Sequence, residues 1–559
     1  MDNYQIAENF TFLSKLTDIH GENSFKAKTY SIAAYHIENL AEQLSNIPTE
    51  KISTIKGIGA STGKKIIELL QTGQLEVLQK MIENTPAGII EMLQIKGIGP
   101  KKINTIWKEM EIESVGELLY ACQENRLKLY KGFGEKTQQN IIETIEYYLH
   151  NKGSYLYPQV EAVVPQIMAY LQKLFLPENV FITGAYKRQL EIIDELEFVI
   201  NSTNELIKPK FVSANPPELL EENAHSLLYK LLNGLRLRLY TGTSQLQKRL
   251  FTTTASPQFS EAFISQFAAI DFDLTDINND AEVFAQAKLN YIPPCARETA
   301  TVIERAKLEV LPTLIQPSDI KGIIHSHSNW SDGSFSIEEM AKAAIEKGFE
   351  YLVLSDHSKS AFYAQGLSEE KIAAQHTQID EINNKLNGFK IFKSIESDIL
   401  NDGNLDYSNS ILSTFDLVIA SVHSNLKMTE EKAMMRLIAA IENPYTTILG
   451  HLTGRLLLSR KGYPVNYKKI IDACAANKVA IELNAHPSRL DIDWRYIAYA
   501  LEKNVFISID PDAHTIDGFD DIRYGVLAAQ KAMLTKQQNL SSLGLTAFEA
   551  YLATVKKTT

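Results

Sequence analysis

The 559-residue chain has only three cysteines, Cys122, Cys295 and Cys474, far apart in sequence. That excludes a disulfide framework and a thiolate zinc finger, and it fits a reducing compartment. Any metal held here has to be bound by histidine and carboxylate. No stretch approaches the roughly 20 consecutive apolar residues of a membrane helix, so no membrane partner is expected. The opening MDNYQIAENF lacks a basic segment followed by an apolar one, so no secretory signal is expected and the cytoplasm is the expected compartment. Positive net charge is missing as well. The formal charge of −12 excludes a wholly basic nucleic-acid binder, although residues 51–140 carry 13 Lys/Arg against 10 Asp/Glu, a local +3.

What is present is ordinary globular composition, 45% hydrophobic and 22% charged, in a chain too long for one core. Three or more domains are expected. Apolar residues recur at helical spacing through IAENFTFLSKL and YSIAAYHIENLAEQL, so the part up to about residue 150 reads as all-helical, with a first domain over 1–85 and a second over 86–150. Residues 151–290 mix helices with strand-like runs, NVFITGA, LEFVINS and LRLRLYT, and read as α+β. Paired prolines in YIPPCARET mark 291–320 as a linker. From 321 to 559, short apolar strands alternate with helical segments at the spacing of a distorted (β/α) barrel.

Within the helical part, an apolar-Lys-Gly-Ile-Gly pattern occurs twice, as IKGIGASTGKK and IKGIGPKKINTI, with KGFGEKTQQNI a looser third copy. Gly57 and Gly59, and again Gly97 and Gly99, permit a tight turn, after which the free amides of a helix start can hold an anion. Lys64, Lys65, Lys101 and Lys102 follow on the helices. DNA phosphate is the expected ligand and base sequence is not read. A plain helical hairpin is the competing explanation.

The ends of successive expected strands in the last domain each deliver an imidazole or a carboxylate. In order these are His325 and His327, Asp332, Asp356 and His357, Glu396, His423, His451, then Asp512 and His514. Positions i and i+2 of a strand share a face, and strand C-termini converge at one mouth of a barrel. Eight of the twelve histidines lie beyond residue 320, and six of these eight fit the pattern. His20, His36, His150, His225 and His376 have no such setting and read as structural, while His486 could line the mouth. Arg455 and Arg489, just after strand ends, are candidates for clamping a phosphate, with salt bridging inside the barrel as the alternative. Imidazole mixed with oxygen ligands suits Mn²⁺, Zn²⁺ or Fe²⁺, and about nine ligands would serve two or three divalent cations. Ions held in this way activate water for attack on phosphorus.

Taken together, GENSFKAKTYSIAAYHIENL, the hairpins and ITGAYKRQLEIIDELEFVI resemble the X family of DNA polymerases. HSHSNWSDG, SDH, ESD, SVHS, GHLTGR, ELNAHPSRLD and DPDAH resemble the PHP family. The pairing is similar to bacterial PolX, a polymerase X fused to a PHP domain, over nearly the whole chain. The resemblance implies metal ligands at His325, His327, Asp332, His357, Glu396, His423, His451, Asp512 and His514, with Asp356 supporting them. It also implies a nucleotidyltransferase-like palm and thumb over 151–290. The family's palm pattern is Gly-Ser, a basic pair, Glu, then Asp-x-Asp and a later Asp, which would hold Mg²⁺. Here the match reads Gly184, Ala185, Tyr186, Lys187, Arg188 and Glu191, then Glu195-Leu196-Glu197, with Arg238 at the third position. The serine hydroxyl is gone, both carboxylates are one methylene longer, and a guanidinium cannot bind Mg²⁺. Lys65 falls where some members carry a Schiff-base lysine, phosphate contact being the alternative role.

The resemblance therefore implies a DNA-binding, metal-dependent phosphoesterase, a 3′ to 5′ exonuclease or 3′-end processor in DNA repair, acting on gapped or 3′-ended DNA. Polymerase activity is expected to be lost or very weak. The alternatives are an active gap-filling polymerase with an editing nuclease, a small-molecule phosphatase of the histidinol-phosphatase type, and a non-catalytic DNA-binding scaffold.

Overall fold

A computed structural model describes the chain except residues 23, 124–126, 128–129, 151–152, 212–215, 233, 268–278, 308–310, 362–363, 459–460 and 556–559. Contacts divide it into two units, Met1–Lys152 and Gly153–Thr559. The expected domain boundary after residue 150 borders on 151–152, outside the described residues. Among the described residues no helix is long and apolar enough to cross a membrane.

The first unit is helical throughout its described residues. Asp2 starts the helix Asn3–Ile19 by accepting the Gln5 N–H, while the Gln5 side chain accepts the Asp2 N–H. Ile6, Phe10, Leu13, Leu16 and Ile19 line one face of this helix and are fully buried, together with Ala33, Ile37, Ile66 and Ile103 from other helices. Three hairpins repeat one geometry. The N–H of Ile58, Ile98 and Phe133 donates to the carbonyl of Ile55, Ile95 and Tyr130, and the glycine between, Gly57, Gly97 or Gly132, has φ of +82°, +91° or +92°. Each turn buries an apolar side chain, Ile58, Ile98 or Phe133, under the hairpin. Gly59 and Gly99 then cap the helices Ala60–Thr72 and Pro100–Lys108 with extended backbone and no side-chain cap.

In the second unit a five-stranded sheet is built from β2 (Val180–Thr183), β4 (Glu195–Ile200), β5 (Glu218–Asn223), β6 (Ser226–Lys230) and β7 (Arg236–Thr241), after a short pair of β1 (Tyr155–Leu156) and β3 (Ile192–Ile193). The strand order is β2-β4-β7-β6-β5, and only β4 and β7 run parallel. Alternation sends Leu196, Phe198 and Ile200 into the core and leaves Glu195 and Glu197 on the other face. The described residues of the expected linker 291–320 are instead packed structure. They carry the helix Thr301–Lys307, and Val302, Ile303, Ala306 and Ile315 are buried. Arg297, wholly buried, donates to Ile292 O, Thr254 Oγ1 and Asp280 Oδ2. Paired prolines signalled a break in regular structure but not a loss of burial.

A seven-stranded parallel sheet follows, β8 (Gly322–Ser326), β9 (Tyr351–Leu354), β10 (Lys390–Asp398), β11 (Leu417–Ser421), β12 (Ile448–Leu449), β13 (Ala480–Asn484) and β14 (Ile507–Asp510), in sequential order. Most of these strands are apolar on both faces, as parallel strands covered by helices require. Ser336, Ser368, Thr429 and Asn466 each cap a covering helix by accepting an N–H from its first turn. The sheet curls until its first and last strands meet: His327 N–H donates to Ala513 O at 2.8 Å and Ala513 N–H to His325 O at 3.2 Å. The result is a nearly closed barrel, in agreement with the sequence reading.

The hairpins give a first test. Gly97→Ala places a side chain at positive φ in open space and should cost about 1–2 kcal/mol. Gly57→Ala should cost more, because its Cβ would also lie 1.9 Å from the His36 ring. Urea unfolding of the two variants measures the difference.

Candidate metal centre

The seam between β8 and β14 is where the site begins. His325 has φ of +59° and Asp512 φ of +53°, a left-handed conformation that is uncommon for residues with a side chain. Each lies beside the Ala513 hydrogen bonds that close the barrel, so the surrounding structure holds the conformation in place. The simple i, i+2 rule therefore describes this segment incompletely. His325 and His327 converge, with ring centres 5.3 Å apart, although the strand is broken by a left-handed residue rather than regularly pleated.

Glu396, at the end region of β10, stands in the middle. Its Oε1 lies 2.9 Å from His451 Nε2, 3.0 Å from His423 Nε2 and 3.3 Å from His325 Nε2. Its Oε2 lies 2.9 Å from His357 Nδ1 and 3.8 Å from His327 Nε2. Asp512 Oδ1 is 3.1 Å from His327 Nε2 and 3.4 Å from His325 Nε2. Asp332 reaches His514 Nε2 at 3.4 Å and His357 Nε2 at 3.5 Å. The structure thus brings all nine candidate ligand residues together. Three groups within them offer ligand atoms close enough to share an ion: His327, Asp332, His357 and His514; His325, His327 and Asp512; and His357, Glu396 and His423.

The electrostatics suit cations. Burial pushes the Glu396 carboxyl up, but the charges of His423, His325 and His357 more than offset it and hold the group well below the usual carboxylate range. Asp512 is likewise penalised by burial and brought well below its ordinary value by His325 and by the hydrogen bond from His327. His327 goes the other way, pushed down to about 3 by burial, then by His514 and His357. Despite burial, the same carboxylates raise His325, His357 and His423, so a divalent cation would bind here by displacing protons from those rings. Buried ligand atoms also lie without a hydrogen-bond partner among the described residues, namely His325 Nε2, His327 Nδ1 and Glu396 Oε2. Buried polar atoms are rarely left so, and a cation would satisfy them.

A second ring of groups fixes the first. His325 Nδ1 lies 2.5 Å from Glu482 Oε2, and His423 Nδ1 is hydrogen-bonded to Asp398 Oδ1. Glu482 also accepts the His451 N–H and the Asn484 amide, which in turn donates to Asp512. Asp356, beside His357, accepts from Ser328 N and Oγ, Ser331 Oγ and Gln375 Nε2, and so ties down the loop after His327. The sequence reading named neither Asp398 nor Glu482. Asp398 lies two residues beyond Glu396 on the same strand, so the spacing rule used for His325 and His327 would have found it. Partners of this kind set ring orientation and ligand basicity.

Of the two arginines, only one is free for a ligand. Arg455 is committed inside the protein: Nε donates to Arg489 O, Nη1 to Asp493 and Nη2 to Leu490 O. The salt-bridging alternative holds for it, and a phosphate-clamping role is excluded. Arg489 instead extends to the cluster, with Nε 3.7 Å from Asp512 Oδ2. His486 is exposed, and its Nδ1 accepts the Ser488 N–H.

The palm residues meet a different fate. Arg238 donates to both oxygens of Glu195, at 2.5 and 3.2 Å. Glu197 accepts the Ala185 N–H at 2.7 Å and the Tyr240 hydroxyl at 2.9 Å, and burial raises its carboxyl above the ordinary value. Both carboxylates are occupied by protein donors. In the first unit Lys64 and Lys101 are exposed, Lys65 Nζ lies 3.4 Å from Ser61 Oγ and 5.9 Å from the Tyr30 ring centre, and Lys102 lies over the Phe133 ring.

Comparison with known proteins agrees with this layout. The helix-hairpin-helix domain matches residues 1–75, the SAM-like helix-hairpin-helix tandem 89–146, and the PHP domain 324–486. The DNA polymerase/3′-5′ exonuclease PolX of Bacillus subtilis is 30% identical over 555 residues, 96% of this chain and 96% of that protein. The chain belongs to the PolX family. A probable phosphatase of Caldanaerobacter subterraneus is 30% identical over 29% of this chain and 60% of its own length. The probable phosphatase YcdX of Escherichia coli is 25% identical over 34% and 78%. PHP domains are metal-dependent, and the cluster in this PolX-family chain can hold metal. Asp512 and His514 lie beyond the residues matched to the PHP domain, yet they complete the same cluster.

Asp398→Asn removes the charge behind His423 without touching the other eight candidate ligands. It should weaken metal retention by about 10- to 100-fold. Competition with a graded chelator, with folding followed separately by circular dichroism, checks this.

Proposed function

We propose that the chain is a DNA-binding phosphoesterase that acts at 3′ ends, as a 3′ to 5′ exonuclease or end-processing enzyme in DNA repair. The observation that carries this reading is the convergence of six histidines with Asp332, Asp512 and the central Glu396. His325, His327, Asp332, His357, Glu396, His423, His451, Asp512 and His514 are assigned as ligands of two or three cations, with Mn²⁺, Zn²⁺ or Fe²⁺ favoured by the mixed donor set. When bound, the cations supply the Lewis acidity that activates water and steadies charge at phosphorus.

The residues of the chain define how substrate arrives. Glu396 is sealed in the barrel, whereas the side chains of His514 and Asp332 are 38% and 31% exposed. Substrate therefore enters on the His514 and Asp332 side, where Arg489 supplies a positive charge for a phosphate oxygen. The three hairpins, with Lys64, Lys65, Lys101 and Lys102, hold the DNA backbone through turn amides and side-chain charge, without sequence preference and with a strong dependence on salt. Gapped or 3′-ended DNA is the substrate class this pairing fits. The name of the Bacillus subtilis relative joins polymerase and exonuclease, and we assign only the second to this chain. Arg238 neutralises Glu195, and Ala185 and Tyr240 occupy Glu197, so these two carboxylates offer no free pair for Mg²⁺.

The test uses a 5′-labelled gapped primer-template with Mn²⁺, with and without dNTPs. Wild type should shorten the primer and not extend it. His325→Ala/His327→Ala should lose shortening by at least about 10²-fold. Extension by both proteins would overturn the account of the palm, and shortening by the double variant would overturn the site.

A further inference from the structure

Glu191 is a buried carboxylate that neither the cluster nor the hairpins use. It sits at the end of the palm segment Gly184–Glu191, next to β3, and its partners lie on the barrel. The Trp494 indole N–H donates to Oε2 at 3.2 Å, and Arg495 Nη1 donates to Oε1 at 3.2 Å. Around it the same segment is bound from several sides. Lys531 Nζ donates to Arg188 O at 2.5 Å, and the Arg188 guanidinium donates to Glu298 at 2.6 Å. Arg188 and Glu191, two charged members of this segment, are thus committed to protein partners.

From Glu191 a continuous set of contacts runs into the candidate site. Arg495 also donates to both oxygens of Asp493, and Asp493 accepts Arg455 Nη1 at 2.8 Å. The other two arms of Arg455 hold the carbonyls of Arg489 and Leu490. Arg489 then reaches Asp512. Beside this route Asp491, fully buried, accepts the N–H and the hydroxyl of Thr453, two residues beyond His451. The loop 486–493 is therefore held from the palm side by Glu191 and presents Arg489 on the cluster side.

We infer that Glu191 is a positioning residue for Arg489, acting through Arg495, Asp493 and Arg455, so that the palm sets the phosphate affinity of the barrel site. This rests on the phosphoesterase reading for the role of Arg489, but the coupling is separable from it. Glu191 touches no candidate ligand, and its loss should leave metal content unchanged. Loop misplacement acts on a phosphate contact, so it raises KM while kcat is held.

The experiment measures inorganic phosphate binding to the Mn²⁺-loaded full chain by calorimetry, together with KM and kcat on labelled gapped DNA. Glu191→Ala and Arg489→Ala should each weaken phosphate binding, the first by roughly two- to tenfold, as loss of a hydrogen bond gives. The combined variant should bind no more weakly than Arg489→Ala alone, because both act through one guanidinium. Trp494→Phe removes one N–H and keeps the ring, and should give a smaller loss in the same direction. It also carries the test if Glu191→Ala does not fold. Additive losses, or unaltered phosphate affinity in Trp494→Phe and Glu191→Ala, would overturn the inference. Phosphate binding that behaves as described, with no DNA hydrolysis by wild type, overturns the phosphoesterase reading and leaves the coupling standing.

Discussion

A single carboxylate organises the C-terminal half. Glu396 is almost wholly removed from water and five imidazoles surround it, of which His423, His325 and His357 offset its charge. A buried unpaired carboxylate costs several kcal/mol, so the chain has to surround it with donors or cations. Strand β8 brings His325, the loops after β8, β9, β11 and β12 bring His327, His357, His423 and His451, and β10 carries Glu396 itself. Among the described residues the barrel brings seven parallel strand ends to one side. Asp398 and Glu482 then follow as a consequence, because a ring that presents one nitrogen to the centre needs an acceptor for the other.

Much of this was legible in the sequence. Alternation of short apolar strands with helices announced the barrel, and residues at strand ends announced the cluster, because both follow from periodicity. The glycine hairpins were legible because a positive φ is a demand that few other residues meet. What the sequence did not disclose depends on contacts between distant segments. Arg455 looked like a phosphate clamp by its place after a strand, and only the structure shows Arg489 O, Leu490 O and Asp493 consuming its donors. The linker reading of 291–320 failed for a related reason. Prolines report backbone geometry, whereas burial of Arg297 among Thr254, Asp280 and Ile292 is a tertiary event. The palm substitutions were visible one by one, but their mutual satisfaction, Arg238 on Glu195 and Tyr240 on Glu197, was not.

The palm pairs an apolar face with a face of satisfied charges. Leu196, Phe198 and Ile200 are buried on one side of the parallel β4 and β7 pair. On the other side Glu195 and Glu197 each have a donor from the same chain. Such a face adds rigidity without asking for metal, and Glu191 and the Arg188 carbonyl carry that rigidity across to the barrel.

The seam of the barrel has a bearing on how the protein is made. His327 and Asp512 are separated by 185 residues, and the hydrogen bonds of Ala513 that close the ring lie between the same strands that carry the cluster. Strands leave the ribosome in sequence order, so β8 emerges with His325 and His327 long before their partners on β14 exist. Glu396 and its five histidines all precede β14, whereas His325, His327 and Asp332 gain Asp512 and His514 as neighbours only with the last strand. Completion of the cluster therefore waits for synthesis of nearly the entire chain.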